Sequence, residues 1–361
     1  MPIIPARKPP LKRSSVSGWF IENLFSSPAS SILTLLICYG AYLVIPPLWQ
    51  WGVTDAQWFG SSSNDCEGKG ACWAFVTTRL NQFIYGFYPE TEQWRGNVFF
   101  IQLAVVISWL VIPKSPFKTQ VLAYGLLAMP VVSWCLLYGG FLGLERVETH
   151  LWGGLMLTLL LALGGMIASL PFGVLLALGR RSSMPVVRAV STAYIELWRG
   201  VPLITVLFMA SVMLPLFVPE EVVFDKLLRA LIGIIMFQSA YMAEVVRGGL
   251  QAIPKGQFEA FESLGLSYWQ GMGFIILPQA LRLVIPGIVN TFIALFKDTS
   301  LVLIIGLFDL LAIVQAGLND PNWLGNAIEG YLFAGLVFWA FCFAMSRYSQ
   351  RLERLLKQEQ G

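Results

Sequence analysis

The sequence predicts an all-α polytopic membrane protein of about eight transmembrane helices, three followed by five. Three observations carry that prediction. Of 361 residues, 56% are hydrophobic and only 12% charged, whereas a soluble domain carries about 25% charged residues. Apolar runs long enough to cross roughly 30 Å of hydrocarbon recur along the chain. Basic residues fall mainly on alternate connections, as the positive-inside rule requires.

Taken in order, the apolar runs are 30–49, 97–113, 121–142, 152–178, 200–218, 229–249, 284–315 and 329–346. A basic, proline-rich tail over 1–29 (Arg7, Lys8, Lys12, Arg13) precedes the first run. That run ends in Pro46-Pro47 with no small-residue cleavage site, so a retained span is expected rather than a removed signal peptide. Placing the tail in the cytoplasm puts four basic groups on the same side: Lys114 and Lys118; Arg180, Arg181 and Arg188; Arg247, Lys255 and Arg282; and Arg347, Arg351, Arg354 and Lys357. The other side keeps Lys69, Arg79, Arg95, Arg146, Lys226 and Arg229, several beside Glu67, Glu92 and Glu145. Both termini are therefore predicted to be cytoplasmic. Trp49, Trp51, Trp94 and Trp152 sit at span ends, as interfacial anchors do.

The chain divides into an N-terminal extension (30–148) with three spans and one long external loop (51–96), a five-span core (149–346), and a cytoplasmic tail (347–361). In the tail, Leu352, Leu355 and Leu356 lie amid basic residues, which suits either an amphipathic helix on the inner leaflet or a protein contact. No internal duplication is visible, against a fold of inverted repeats. The net charge of +3 gives no reason to expect nucleic acid. Cys38, Cys135 and Cys342 lie in apolar runs as small hydrophobes. Cys66 and Cys72 lie in the external loop, where an oxidising compartment permits a bridge. His150 has no neighbours at metal-ligand spacing, and reads as a surface residue at a loop end. Neither a catalytic constellation nor a metal site is expected.

Between the sixth and seventh runs lies a cytoplasmic connection (251–283) far longer than a turn needs. Glu259, Ala260, Glu262 and Leu264 favour helix, and Gly265 supplies a stop. A second short helix is expected over Tyr268–Ile276, closed by Leu277-Pro278. Phe258, Phe261 and Leu264 fall at helical spacing on one side, and Trp269 adds bulk. Two readings fit: a helix lying on the headgroups, or one whose apolar knobs enter a groove on a soluble partner.

The pattern Glu259-Ala260, Gly265, then Ile275, Leu277 and Pro278 resembles the cytoplasmic signature of permease subunits in bacterial ABC importers, with Phe261 where the family usually has a second alanine. Glu196-Leu-Trp-Arg-Gly-Val-Pro202, Tyr241-Met-Ala-Glu-Val-Val-Arg-Gly-Gly249, Ile253-Pro-Lys-Gly-Gln257 and Lys297-Asp-Thr-Ser-Leu301 resemble the polar amino acid branch. The long extension is similar to that of the general L-amino acid permease subunits. The resemblance implies a MetI-like five-helix core in the bacterial inner membrane that imports polar L-amino acids. It also implies a second, homologous permease subunit, a periplasmic amino-acid-binding protein and an ABC ATPase dimer seated on the 259–278 segment. This chain would bind no cofactor, because ATP and magnesium would be handled by the ATPases. It carries no phosphate-binding GxxxxGK[ST] loop of its own.

Ionisable residues inside hydrocarbon tend to face a cavity or a partner. Lys297-Asp298-Thr299 lies roughly 21 Å along a helix from Arg282, at 1.5 Å per residue. Asn290 and Lys297 share a face, as do Thr291 and Asp298. This cluster, with Gln238 on another span, is the expected substrate path, with Asp298 toward a substrate ammonium. The competing reading makes Lys297 and Asp298 a self-satisfying pair that holds helices together. Glu196 with Arg199, and Glu244 with Arg247, are expected as structural pairs near the inner boundary. A self-sufficient secondary transporter or channel would also account for the buried charges. A membrane-embedded enzyme lacks a nucleophile or an acid–base pair at useful spacing.

Overall fold

The computed structural model describes residues 16–66, 68–112, 115–141, 143–217 and 225–358. Arg7, Lys8, Lys12, Arg13, Glu67 and Lys114, and the predicted ends of spans at 113, 142 and 218, lie outside them. Two units form, residues 1–74 and 75–361.

In the first unit, α1 (Val16–Leu24) precedes α2 (Pro28–Trp49). Ser27 and Ser30 cap α2 reciprocally, with Pro28 at its first position. Pro46 and Pro47 lie inside the helix and do not end it, so α2 closes at Trp49 as the apolar run 30–49 predicts. It then widens into a π-helical turn over Gln50–Thr54. No residue of α2 is buried, Cys38 included, so its surroundings within this unit are those of a lone apolar helix. The following loop is tied down by a Cys66–Cys72 disulfide, a Trp58–Trp73 stack and a hydrogen bond from the Trp73 indole to the Gly52 carbonyl.

In the second unit the elements are α3 (Ala74–Tyr85), α4 (Gln93–Val111), α5 (Lys118–Ala123), α6 (Met129–Tyr138), α7 (Gly154–Arg180), α8 (Pro185–Gly200), α9 (Leu203–Phe208), α10 (Lys226–Ala252), α11 (Lys255–Ser263), α12 (Tyr268–Gly271), α13 (Leu277–Leu283), α14 (Ile285–Asp298), α15 (Leu310–Leu318) and α16 (Ala327–Gln358). Among the described residues of the whole chain, seven helices are long and apolar enough to cross a membrane. An eighth is reached by counting the pair Pro185–Gly200 and Leu203–Phe217, bent by 104°.

The central pair is α7 with α10. Gly165, Ser169, Gly173 and Ala177 recur every four residues along α7 and are all buried, a small-residue stripe that lets two backbones approach in lipid. Met242 and Ala243 of α10 pack over Gly173, and Ile234 over Gly165.

Several boundaries differ from the sequence reading for physical reasons. The run 284–315 is not one span: it ends at Ile305, and Gly306, at φ +73°, reverses the chain before Asp309 starts α15. The run 200–218 begins at Leu203, after the extended Val201-Pro202 corner separates it from the amphipathic α8. The loop 51–96 contains α3, whose Phe75 and Phe83 pack on Trp323 and Phe333. Trp152 is no interfacial anchor. It is fully buried against Trp134. Arg95, assigned to the loop, is buried in α4, where it pairs with Glu92 at 2.5 Å and donates to the Glu145 carbonyl.

Three π-helical turns share one cause. The turns Tyr124–Ala128, Met209–Met213 and Met272–Ile276 are each followed by one residue and then a proline, Pro130, Pro215 and Pro278. Proline has no N–H to give, and its ring crowds the carbonyl four residues back. Widening the preceding turn relieves that crowding and keeps the helix continuous.

Asp309 caps α15 through the N–H groups of Leu311 and Ala312, and the Leu310 N–H donates to Thr158 of α7. Burial pushes the Asp309 carboxyl up to about 6, outweighing those hydrogen bonds. The folded state then holds this proton more tightly than the unfolded chain. Its contribution is complete below about pH 4 and is lost as pH rises through about 6. The expected outcome is that wild-type protein loses about 3 kcal/mol more stability than Asp309→Asn between pH 4 and 7. Unfolding midpoints in detergent across that range check it, and parallel curves would refute it.

Candidate functional site

The connection between α10 and α14 is a rigid elbow. Ile253 leaves α10 in extended conformation and Pro254 opens α11. At the other end of α11, Gly265 at φ +70° donates to the Glu262 carbonyl, and the Leu266 N–H reaches the Phe261 carbonyl. These two bonds form a Schellman closure, and Phe261 and Leu266 belong to the same apolar cluster. One residue later Ser267 and Gln270 form a reciprocal capping box that starts α12. Two orphaned helix ends are thus satisfied within about six residues, so the corner has little freedom to hinge.

The second arm is longer than the sequence suggested. It does not close at Leu277-Pro278: the helix passes through the π turn and continues as α13 to Leu283. Met272, Ile276 and Ala280 form its buried inner edge. Phe261 belongs to the inner side too, only 3% exposed, with its ring against Gly271, where any side chain would collide. The residue at the family's second-alanine position therefore braces the elbow instead of offering a docking knob. The outer surface carries Glu259 and Ala260, Gly265, Leu264 (72% exposed), Tyr268, Trp269 (67%) and Phe274 (80%). Ile275 and Leu277 are half-buried in the base, and Pro278 is exposed.

The base is fixed by charge. The Glu244 carboxylate on α10 meets Arg180 of α7 at 2.5 Å, Arg247 of α10 at 2.6 Å and Arg199 of α8 at 3.5 Å, while Arg180 also reaches Glu196. The expected pair Glu244–Arg247 is present. Glu196 and Arg199 do not pair with each other; each turns to a partner on another helix. Arg180 was the missed member, since nothing in its local sequence points to α10. Arg181 donates to the Leu250 carbonyl and lies over the Phe258 ring, seating the elbow on the end of α7.

On α14 the polar residues separate onto two faces. Asn290, Ala294 and Lys297 are exposed along one row, whereas Thr291 and Asp298 are half-buried. Gln238, buried in α10, donates to the Thr291 carbonyl at 2.8 Å, and the Thr291 hydroxyl returns to Gly287. Thr299 is fully buried and bonded to the Phe296 carbonyl. Among the described residues no ion pair joins Lys297 to Asp298, against the self-satisfying pair. His150 is exposed on a short 3-10 turn.

This arrangement defines a polytopic helical membrane protein with a stiff, capped elbow between spans. Residues 169–358 match the family described as the binding-protein-dependent transport system inner membrane component, and the chain belongs to that family. It is a non-catalytic, multi-pass inner-membrane transport subunit without a cofactor, working with a binding protein and an ATPase that handles ATP. It is 55% identical over 350 residues to the inner membrane amino-acid ABC transporter permease protein YhdY of Escherichia coli (strain K12), covering 97% of this chain and 95% of the relative. It is 36% identical over 422 residues to the glutamate/glutamine/aspartate/asparagine transport system permease protein BztC of Rhodobacter capsulatus, covering 98% and 96%. A crystal structure of an amino acid ABC transporter with histidines is 28% identical, spans 56% of this chain and 91% of that one, and superposes with a TM-score of 0.49.

Removing the shared partner from a half-buried charge cluster strands the rest, and with solvent screening its arginines the cost is roughly 1–3 kcal/mol. Glu244→Gln leaves three arginines facing one another and is expected to lower stability by about that amount. Denaturation in detergent, with Glu196→Gln as the exposed comparison, tests it; equal losses for both would place the network's centre elsewhere.

Proposed function

We propose that this chain is the permease subunit of an importer for polar L-amino acids, driven through the outer face of its elbow by cytoplasmic ATPases. The single observation that carries the coupling role is the capped corner at Gly265, which presents Glu259, Ala260, Leu264, Tyr268, Trp269 and Phe274 on a base locked by Glu244. A docking contact shifts a transport equilibrium only if its free energy differs between the two states. A stiff lever with an apolar outer face meets that requirement, since nucleotide-driven motion of the partner reaches α10 and α14 without being absorbed in the corner.

In this reading both termini face the cytoplasm, and the Cys66–Cys72 disulfide supports placing its loop on the oxidising side. The exposed row Asn290, Ala294 and Lys297 faces a second, homologous permease subunit. Asn290, Thr291, Lys297, Asp298, Thr299 and Gln238 border the substrate path, where Lys297 and Asp298 supply both charge signs in place of the water around a zwitterion. The amino-acid class rests on the full-length likeness to the two relatives whose names carry it.

Leu264→Glu with Trp269→Glu is expected to reduce ATPase co-purification by an order of magnitude or more, because charges replace two desolvated knobs, while leaving the permease's thermal stability unchanged. Unaltered assembly and transport would sink the coupling assignment. Reconstitution with the companion subunits, followed by competition among acidic, amide, basic and aliphatic amino acids, tests the substrate class. Asp298→Asn with intact assembly and undiminished uptake would remove Asp298 from the path.

A further inference from the structure

The geometry points to a binding site for one anionic phospholipid between the extension and the core. A cleft of about 1180 Å³ opens at the elbow end of the bundle between α4, α7, α14 and α16. Its walls are hydrocarbon: Ile107 from α4, Met166 from α7, Val289 and Phe292 from α14, and Phe341 and Met345 from α16. Arg347, Arg351 and Arg354 line the same cleft.

The order of residues along α16 gives the ligand its shape. Phe341, Ala344, Met345 and Tyr348 recur at three- and four-residue steps and face the cleft. Arg347, Arg351 and Arg354 continue that stripe at the same steps to the end of the span. Arg351 stands seven residues beyond Ala344, roughly 10 Å along the axis at 1.5 Å per residue. One helix face thus passes from greasy to strongly basic over about two turns, as a lipid passes from acyl chain to phosphate. The Arg347 guanidinium lies over the Phe343 ring and Arg354 donates to the Gln350 carbonyl. Among the described residues no carboxylate pairs with any of the three. Three uncompensated guanidiniums above an apolar cleft call for an anion with a hydrocarbon body, and a phospholipid carrying net negative charge supplies both. Guanidinium forks grip phosphate oxygens bidentately, and basic pockets between transmembrane helices favour such headgroups. An acidic surface on a soluble ATPase subunit would satisfy the arginines and leave the cleft empty, so lipid is the better occupant.

The test uses the full chain in its assembled complex, purified in mild detergent and exchanged into nanodiscs of phosphatidylcholine with or without phosphatidylglycerol. Native mass spectrometry is expected to retain phosphatidylglycerol on the wild-type complex in preference to phosphatidylcholine. Each arginine contributes roughly fivefold, so Arg347→Gln, Arg351→Gln and Arg354→Gln together should weaken retention on the order of a hundredfold. Arg282→Gln, a basic residue outside the cleft, should leave it unchanged. Ala344→Phe keeps every arginine but fills the apolar part, and it too should lose the lipid. Equal retention of both lipids, or indifference to the triple change, would overturn the proposal. Binding of soluble glycerophosphate as strong as that of the lipid would reduce the site to a phosphate contact and also overturn it. Loss of ATPase co-purification with lipid retention intact would reassign the arginines to a protein interface.

Discussion

The Glu244 carboxylate, held between arginines of three helices, is the contact on which the rest of the elbow half depends. It joins the ends of α7, α8 and α10 where α10 leaves the bundle. A carboxylate in that position is costly to desolvate, and one arginine would offset the cost only in part. Three cationic partners surround it, and Glu196 takes the free side of Arg180, so three arginines share two carboxylates. A lever needs a fulcrum that does not yield, and this is the most strongly bonded point beneath it.

The elbow solves a second problem, that of stopping and restarting a helix within a few residues beside a membrane. Unpaired backbone groups at two adjoining helix ends would need water or would leave the corner loose. The Schellman closure at Gly265 and the Ser267–Gln270 box satisfy both from within the chain. Beyond the corner, Pro278 sits inside a helix instead of ending it, because the π turn at Met272–Ile276 gives the ring room. The same device precedes Pro130 and Pro215, so at these three positions proline marks a widened turn and not a helix end.

What was legible in the sequence follows from how local each signal is. Hydrocarbon thickness imposes a length on every span, so the runs of apolar residues could be counted directly, and Gly265 announced its turn because its conformation favours glycine. The errors about which way a side chain points concern partners distant in sequence, while the errors of boundary lie at prolines and glycines. Phe261 looked like an outward knob because helical spacing places it near Leu264; only the approach of Gly271 turns it inward. Trp152 looked interfacial and Arg95 looked like an external loop residue, and tertiary packing buries both. The break at Gly306 was hidden because the residues on either side are equally apolar. Glu196 and Arg199 read as a pair by spacing, yet each reaches another helix. In the polar cluster, composition singled out a stretch of α14 but could not say which side of the helix each residue takes.

The two arms of the elbow meet again deeper in the bundle, which is where the coupling proposal acquires its physical content. One arm continues from α10, the other from α13 through the short break at Val284 into α14. The buried Gln238 on α10 donates to the Thr291 carbonyl of α14, so the two helices are cross-linked about 14 residues from where α10 ends, or roughly 21 Å at 1.5 Å per residue. A push on the corner therefore acts on both sides of a closed loop, elbow at one end and hydrogen bond at the other. Bending either helix alone would leave the Gln238 amide unbonded in a dry interior, which is unfavourable. Joint motion of the arms keeps that bond, and in the coupling proposal it carries the half-buried Asp298, two turns beyond Thr291 on the same helix.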